Sequence, residues 1–149
     1  MIPSFIMMVG IPGSGKSTVA AKLAAKIKAD IISSDSIRGE IYGDETIQGS
    51  HDFVFQLMEE RTMTALAAER NVIYDATNVT VARREEFLKK LPKIVNKICI
   101  WVNTPKERAL QNNRERERHV PEWVIHQMAN NLVIPTKSEG WDDIYVVTY

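Results

Sequence analysis

Apolar residues come in two rhythms along this chain. Residues 4–9 form a short apolar run that stops at a cluster of glycines, the pattern of a buried strand. Beyond the cluster the spacing changes. Ala20, Leu23, Ala24 and Ile27 fall on one face of a helix, with Lys22, Lys26 and Lys28 turned outward. Val54, Leu57, Met58, Thr62, Ala65 and Leu66 repeat that spacing through a longer helix, and both stripes are expected to be core. Further short apolar runs predict strands at 30–33, 72–74, 97–102 and 144–147. Strand and helix alternate throughout. The pattern predicts an α/β fold with a mostly parallel sheet of about five strands, covered by helices on both faces.

Two helix starts can be placed. In TPKE, Thr104 is the expected N-cap, Pro105 the first helical residue and Glu107 the third, a capping box worth about 1 kcal/mol. Pro121 followed by Glu122 marks another start. Between them, residues 112–120, NNRERERHV, form a dense polar connector. No repeat, long linker or low-complexity tract divides the chain, so residues 1–149 are expected to form one domain.

Composition narrows the partners. A chain of 149 residues buries roughly 70% of its unfolded surface, enough for an ordinary core without disulfide or metal. Lys plus Arg equals Asp plus Glu, 19 each, so no global positive field draws the chain to nucleic acid or acidic membranes. Any nucleic-acid binding must be local. The lone Cys99 lies in the apolar run KICIWV and reads as a buried, inert thiol, which suits a reducing, cytoplasmic setting. The N-terminal apolar stretch lacks a basic flank and is too short to span a bilayer, so no membrane association is expected.

The glycine cluster carries the first chemistry. Gly10-x-x-x-x-Gly15-Lys16-Ser17 has the spacing of a phosphate-binding loop, in which glycines let backbone N–H groups wrap phosphate oxygens. A structural strand-to-helix turn has no need of lysine and serine at those points. The loop makes Gly10, Pro12, Gly13, Ser14, Gly15, Lys16, Ser17 and Thr18 candidate ATP-binding positions. Lys16 is expected on the β- and γ-phosphates and the Ser17 hydroxyl on Mg²⁺, with the helix dipole adding positive potential. The segment NVIYDATN ends a strand at Asp75, where a carboxylate can hold the metal's waters or, more simply, cap a turn.

A phosphoryl transfer also needs a group that takes the proton of the attacking hydroxyl. The candidate lies in SSDSIR. Asp35 follows the second strand and should emerge at the same sheet edge as the phosphate loop, and Arg38, three residues on, shares its helical face. A carboxylate beside a cation can receive the hydroxyl while the guanidinium grips an acceptor phosphate. The plainer alternative is an Asp N-cap with a surface arginine.

The ordered set GIPGSGKST, SSDSIR, YDATN with Arg83 and Arg84 following, and NRERERHVPEWVI resembles the 5′-hydroxyl polynucleotide kinase family of P-loop phosphotransferases. It covers nearly the whole chain, down to a terminal EGWDDIYVV that looks like the family's last strand. The resemblance implies a nucleotide-kinase-like fold with an arginine-rich lid at about 112–120. Asp35 would then be the general base for the 5′-hydroxyl of DNA or RNA and Arg38 the contact to the neighbouring acceptor phosphate. Asp75 would order the site through either the metal's waters or an arginine. Among lid residues, Arg116 is the best match to the arginine that contacts the donor phosphates, with Arg114 the other candidate and Arg118 a looser match. Glu115 and Glu117 alternate with these arginines, so a solvated, salt-bridged connector is the competing reading. Arg83 and Arg84 either touch a substrate strand or decorate a helix.

His51, His119 and His126 lack metal-ligand spacing and read as surface or packing residues. Trp101 is expected to pack in its strand. Trp123 and Trp141 offer base-stacking faces but fit core or rim packing better, and Asp142 and Asp143 suit a solvated turn before the last strand. Two rivals keep the ATP site: a kinase of a small-molecule hydroxyl such as a nucleoside, a nucleotide sugar or an antibiotic, and a regulatory module that binds ATP without transferring phosphate.

Overall fold

The computed structural model describes residues 2–43, 51–116 and 119–148, with only the backbone of His51. Each apolar run becomes a strand: β1 (Ser4–Val9), β2 (Ala29–Ser33), β3 (Asn71–Asp75), β4 (Asn96–Asn103) and β5 (Asp143–Thr148). All four pairings are parallel, in the spatial order β2-β3-β1-β4-β5. Parallel neighbours require crossovers, and helices supply them: α1 (Lys16–Ile27), α2 (Ser34–Tyr42), α3 (His51–Ala67), α4 (Val81–Lys90), α5 (Lys106–Glu115) and α6 (Glu122–Asn131). A 3-10 turn, Lys137–Glu139, precedes β5. The sequence-predicted strands are each found, displaced at their ends by no more than one residue. No helix among the described residues is long and apolar enough to cross a membrane.

Central position explains why β1 has no polar alternation. It lies between β3 and β4, and residues 5–9 are buried on both sides. Phe5, Met7 and Val9 face one core layer, with Val54 and Met58 of α3 and Phe87 of α4. There the Phe5 and Phe87 rings stack at 5.2 Å and Tyr74 lies 4.5 Å from Phe87. Ile6 and Met8 face the other layer, against Ala20 and the partly buried Leu23, Ala24 and Ile27 of α1. Both helical stripes are therefore core. A third cluster, Ile11, Val79, Ala109, Leu110 and Ile125, packs the phosphate loop against α5 and α6. From β1 the chain builds the sheet first to one side and then to the other. A crevice opens at the carboxyl ends of the strands on either side of such a switch.

Two local expectations change, and one capping motif appears that the sequence analysis did not name. Helix α5 begins at Lys106 with Pro105 at its N-cap and no side-chain cap, and Thr104, one residue before, donates its hydroxyl to the Ser14 carbonyl at 2.7 Å. A Thr-x-x-Glu pattern does organise another site: Thr136 N–H donates to the Glu139 carboxylate at 3.2 Å. Asp142 is more than a solvated turn, since its carboxylate accepts the Lys97 N–H and its own N–H donates to the Lys97 carbonyl, both at 2.8 Å.

Candidate active site

Between β1 and α1 the backbone must turn sharply, and two glycines make that possible. Gly13 and Gly15 have φ of 83° and 91°, in the left-handed region that side chains rarely enter. A Cβ on Gly13 would also lie 2.3 Å from the Ala109 carbonyl oxygen, so α5 presses directly on the loop. The loop is pinned from behind. Thr104 holds the Ser14 carbonyl, the Asn112 amide donates to the Gly13 carbonyl at 2.9 Å, and Gly10 N–H donates to the Thr77 carbonyl at 3.0 Å. In a trans peptide, N–H points opposite to C=O, so fixing the Ser14 carbonyl aims the Gly15 N–H away from Thr104.

Of the loop residues expected to bind nucleotide, Pro12, Gly13, Gly15, Lys16, Ser17 and Thr18 line one open cleft of about 550 Å³. Gly10 and Ser14 form the back of the turn. Ser14 is buried, and a Cβ on Gly10 would meet its hydroxyl at 2.6 Å.

Strand β3 delivers Asp75 to the same cleft. Ser17 Oγ donates to Asp75 Oδ2 at 2.9 Å, while Oδ1 is buried with no hydrogen-bond partner among the described residues. Burial raises the Asp75 pKa, opposed by the Lys16 charge and the Ser17 hydrogen bond and reinforced by Asp35. A hydroxyl beside a carboxylate with a spare buried lone pair is a hard-oxygen set, and it fits Mg²⁺ with retained waters. The sequence left open a contact to the metal's waters or to an arginine; among the described residues the side chain that bonds Asp75 is Ser17.

Helix α2 delivers the acceptor candidates. Ser33 caps it, accepting the Ser36 N–H at 3.3 Å, so Asp35 stands free of the capping role in the first turn. Arg38 is buried rather than on the surface, and its Nη1 donates to Asp35 Oδ1 at 3.2 Å. Both line the cleft that holds Lys16, Ser17 and Asp75. Strand order sets its two ends: elements following β2 and β3 lie to one side of the phosphate loop, and α5 and α6 lie to the other.

The lid arginines part company. Arg116, at the C-cap of α5, lines the cleft. Arg114 is not brought there: it makes a two-pronged pair with Glu122, both bonds at 2.9 Å and both side chains exposed. Arg118 lies outside the described residues. The ends of the connector are joined by buried Asn113, which accepts the Val120 N–H at 2.9 Å and donates to the Val120 carbonyl at 2.8 Å. Arg114 is thus salt-bridged, to Glu122 rather than to a glutamate of the connector, and Arg116 stands exposed at the cleft.

Arg83 and Arg84 separate as sharply. Arg84 is fully buried, paired through Nε and Nη2 with Glu139 at 2.8 and 2.9 Å, and its Nη1 donates to the Asn78 carbonyl at 3.0 Å. It decorates nothing and meets no substrate; it ties the turn after Asp75 to the C-terminal segment. Burial alone would raise the Glu139 pKa, but hydrogen bonds from Arg84 and Trp141 hold it below the usual range. Arg83 lines the cleft, its guanidinium 3.9 Å from the centroid of Phe55. Trp141 packs in the core, whereas Trp123 is exposed and outside the cleft lining. His119 Nδ1 lies 2.7 Å from the Asn113 carbonyl, at the base of the lid.

Sequence reasoning missed Thr104, Asn112 and Phe55. Thr104 carried a misleading signal, a good capping pattern, and Asn112 the weak one of lying a helical turn before Arg116. Phe55 lies off the core stripe and gave none.

The profile of the AAA domain family (AAA_33) matches residues 5–135. Among solved structures, the chain is similar to one in the Pnkp1/Rnl/Hen1 RNA repair complex, with a TM-score of 0.78 at 20% identity over 88% of this chain and 44% of that one. It is similar also to a sugar kinase from Janibacter sp., with a TM-score of 0.74 at 16% identity over 98% and 85% of the two chains. A fungal RNA kinase gives 0.71 at 16% identity over 98% and 38%. The chain spans less than half the length of the RNA repair chain and of the fungal RNA kinase. No curated protein matches it by sequence. At these identities the likeness is one of fold, the five-stranded P-loop kinase-type α/β fold that the sequence predicts.

Proposed function

Because the chain belongs to the AAA domain family and carries a P-loop kinase-type phosphotransferase fold, we propose that it transfers the γ-phosphoryl group of ATP to the 5′-hydroxyl of a DNA or RNA end. One observation carries the reading: Asp35 and a buried Arg38, 3.2 Å apart, share a cleft with Lys16, Ser17 and Asp75. A carboxylate held beside a guanidinium suits an acceptor that brings both a hydroxyl and a phosphate. RNA-acting structures of the same fold support it.

Gly15 N–H and Lys16 hold the donor phosphates, and Arg116 adds positive charge from the lid side. Ser17 and Asp75 would hold Mg²⁺, which when bound neutralises charge on the phosphates. The acceptor phosphate draws Arg38 from Asp35, freeing the carboxylate to face the 5′-hydroxyl. As the hydroxyl oxygen bonds to the γ-phosphorus, its proton passes to Asp35, and the bond from that phosphorus to the β-bridging oxygen breaks. The products are a 5′-phosphate and ADP. The reading takes residues 1–149 as one catalytic domain in a cytoplasmic setting. Cys99, a buried thiol pushed up to about 12 by desolvation, suits that setting.

The test offers γ-labelled ATP with 5′-hydroxyl DNA and RNA oligonucleotides beside nucleosides, gluconate and other sugars. Label on an oligonucleotide is the expected result. Label confined to a sugar or nucleoside would move the acceptor to the small-molecule class represented by the Janibacter neighbour, and ATP consumption with no labelled acceptor would favour a regulatory module.

A further inference from the structure

Arg83 is the third residue of α4, in the first turn of the helix, where the macrodipole disfavours a cation. No acidic residue shares that turn, and Arg83 makes no salt bridge among the described residues. Its position does not serve the helix. What holds it is Phe55, reached from α3 across the fold, with the guanidinium 3.9 Å from the ring centroid. Phe55 is half-buried, Arg83 is exposed, and both line the cleft on the same side as Asp35 and Arg38. The ring covers one face of the guanidinium and leaves its N–H edge and its other face open. That open face is flat, weakly hydrated and polarisable, a surface that a sugar hydroxyl does not need and a base does.

We propose that Arg83 and Phe55 form a stacking platform for the base of the 5′-terminal acceptor nucleotide. This rests on the polynucleotide reading above and narrows it: the enzyme recognises the end through the π-face of its first base as well as through phosphate. Every base has such a face, so the platform discriminates a nucleotide from a sugar without selecting among sequences. It also gives a chain of zero net charge a local means of holding nucleic acid.

The experiment compares two oligonucleotides identical except at the 5′-terminal residue, which in one carries a base and in the other a tetrahydrofuran abasic sugar, both with a 5′-hydroxyl. With the wild-type chain, removing the base should raise KM about tenfold. In Arg83→Lys, which keeps the charge but not the plane, and in Phe55→Leu, which keeps the apolar volume but not the ring, the two oligonucleotides should converge. Equal KM values for the wild-type chain overturn the platform while leaving the polynucleotide reading intact, and this arm needs no variant to fold. Discrimination that persists in both variants overturns the assignment to these two residues. No transfer to either oligonucleotide overturns the reading beneath it and the platform together.

Discussion

The two sides of the cleft are built by different means. On the side proposed for the donor the phosphate loop presents its backbone, and its shape is fixed by bonds that Thr104 and Asn112 donate, by one that Gly10 donates to Thr77, and by the closeness of Ala109. On the side proposed for the acceptor the groups are side chains, Asp35 and Arg38 from α2, Phe55 from α3 and Arg83 from α4, among them the Asp35–Arg38 ion pair and the Arg83–Phe55 stack. Backbone recognition needs glycine at strained positions and fits any nucleoside triphosphate. Side-chain recognition needs no special backbone, and replacing a few residues redirects it. The same fold is found in a chain of an RNA repair complex, in a fungal RNA kinase and in a sugar kinase.

Substitutions on either side, and in the frame beneath both, would break or sharpen this contrast. The largest effect is expected in the frame. Glu139→Ala leaves the guanidinium of fully buried Arg84 without its carboxylate, and loss of one partner of a buried pair costs about 3–5 kcal/mol. Denaturant unfolding should show that loss, and both sides of the cleft should suffer together. Gly13→Ala comes next and should act on the donor side. The added methyl enters a strained backbone region and collides with the Ala109 carbonyl, which moves the loop. A displacement of that kind can cost about 10²-fold, to be read as ATP affinity by calorimetry. Thr104→Val removes a single pinning bond at constant shape. Its expected effect is about 1 kcal/mol, or roughly fivefold in ATP affinity.

The smallest effect lies at Asp75 and depends on pH. Burial raises its folded-state pKa, so its contribution to stability is fully present below the unfolded value and is lost as pH rises through the folded one. Without nucleotide or metal, Asp75→Asn should therefore melt above wild type near neutral pH, with the gap closing towards about pH 4. With Mg²⁺ and ATP present the order should reverse, since only the wild-type carboxylate gains from the metal. A wild-type advantage at neutral pH without ligand would contradict the assignment.

How much of this could be read from residues alone follows the same division. The strands, both helical stripes and the phosphate loop were legible, because periodicity and glycine spacing express backbone constraints that act locally. Asp35 with Arg38 was legible as a pair on one helical face, although burial of the arginine was not. The capping box at Thr104 failed for a physical reason. Helix α5 starts one residue later than the pattern implies, which leaves Thr104 before the cap, and its hydroxyl is drawn to the Ser14 carbonyl, ninety positions away in the chain. Adjacent Arg83 and Arg84 looked equivalent, yet one helical step of about 100° sends one into the cleft and the other into the interior. Contacts between distant segments, such as Arg84 with Glu139 or Arg83 with Phe55, leave no trace in local pattern.

The central claim is that the Asp35 carboxylate takes the acceptor proton beside a fixed triphosphate. Asp35→Asn tests it most directly, with single-turnover transfer of labelled phosphate to a 5′-hydroxyl oligonucleotide measured alongside ATP affinity. The account predicts transfer slowed by about 10²–10⁴-fold with ATP affinity unchanged. Transfer at the wild-type rate would contradict it.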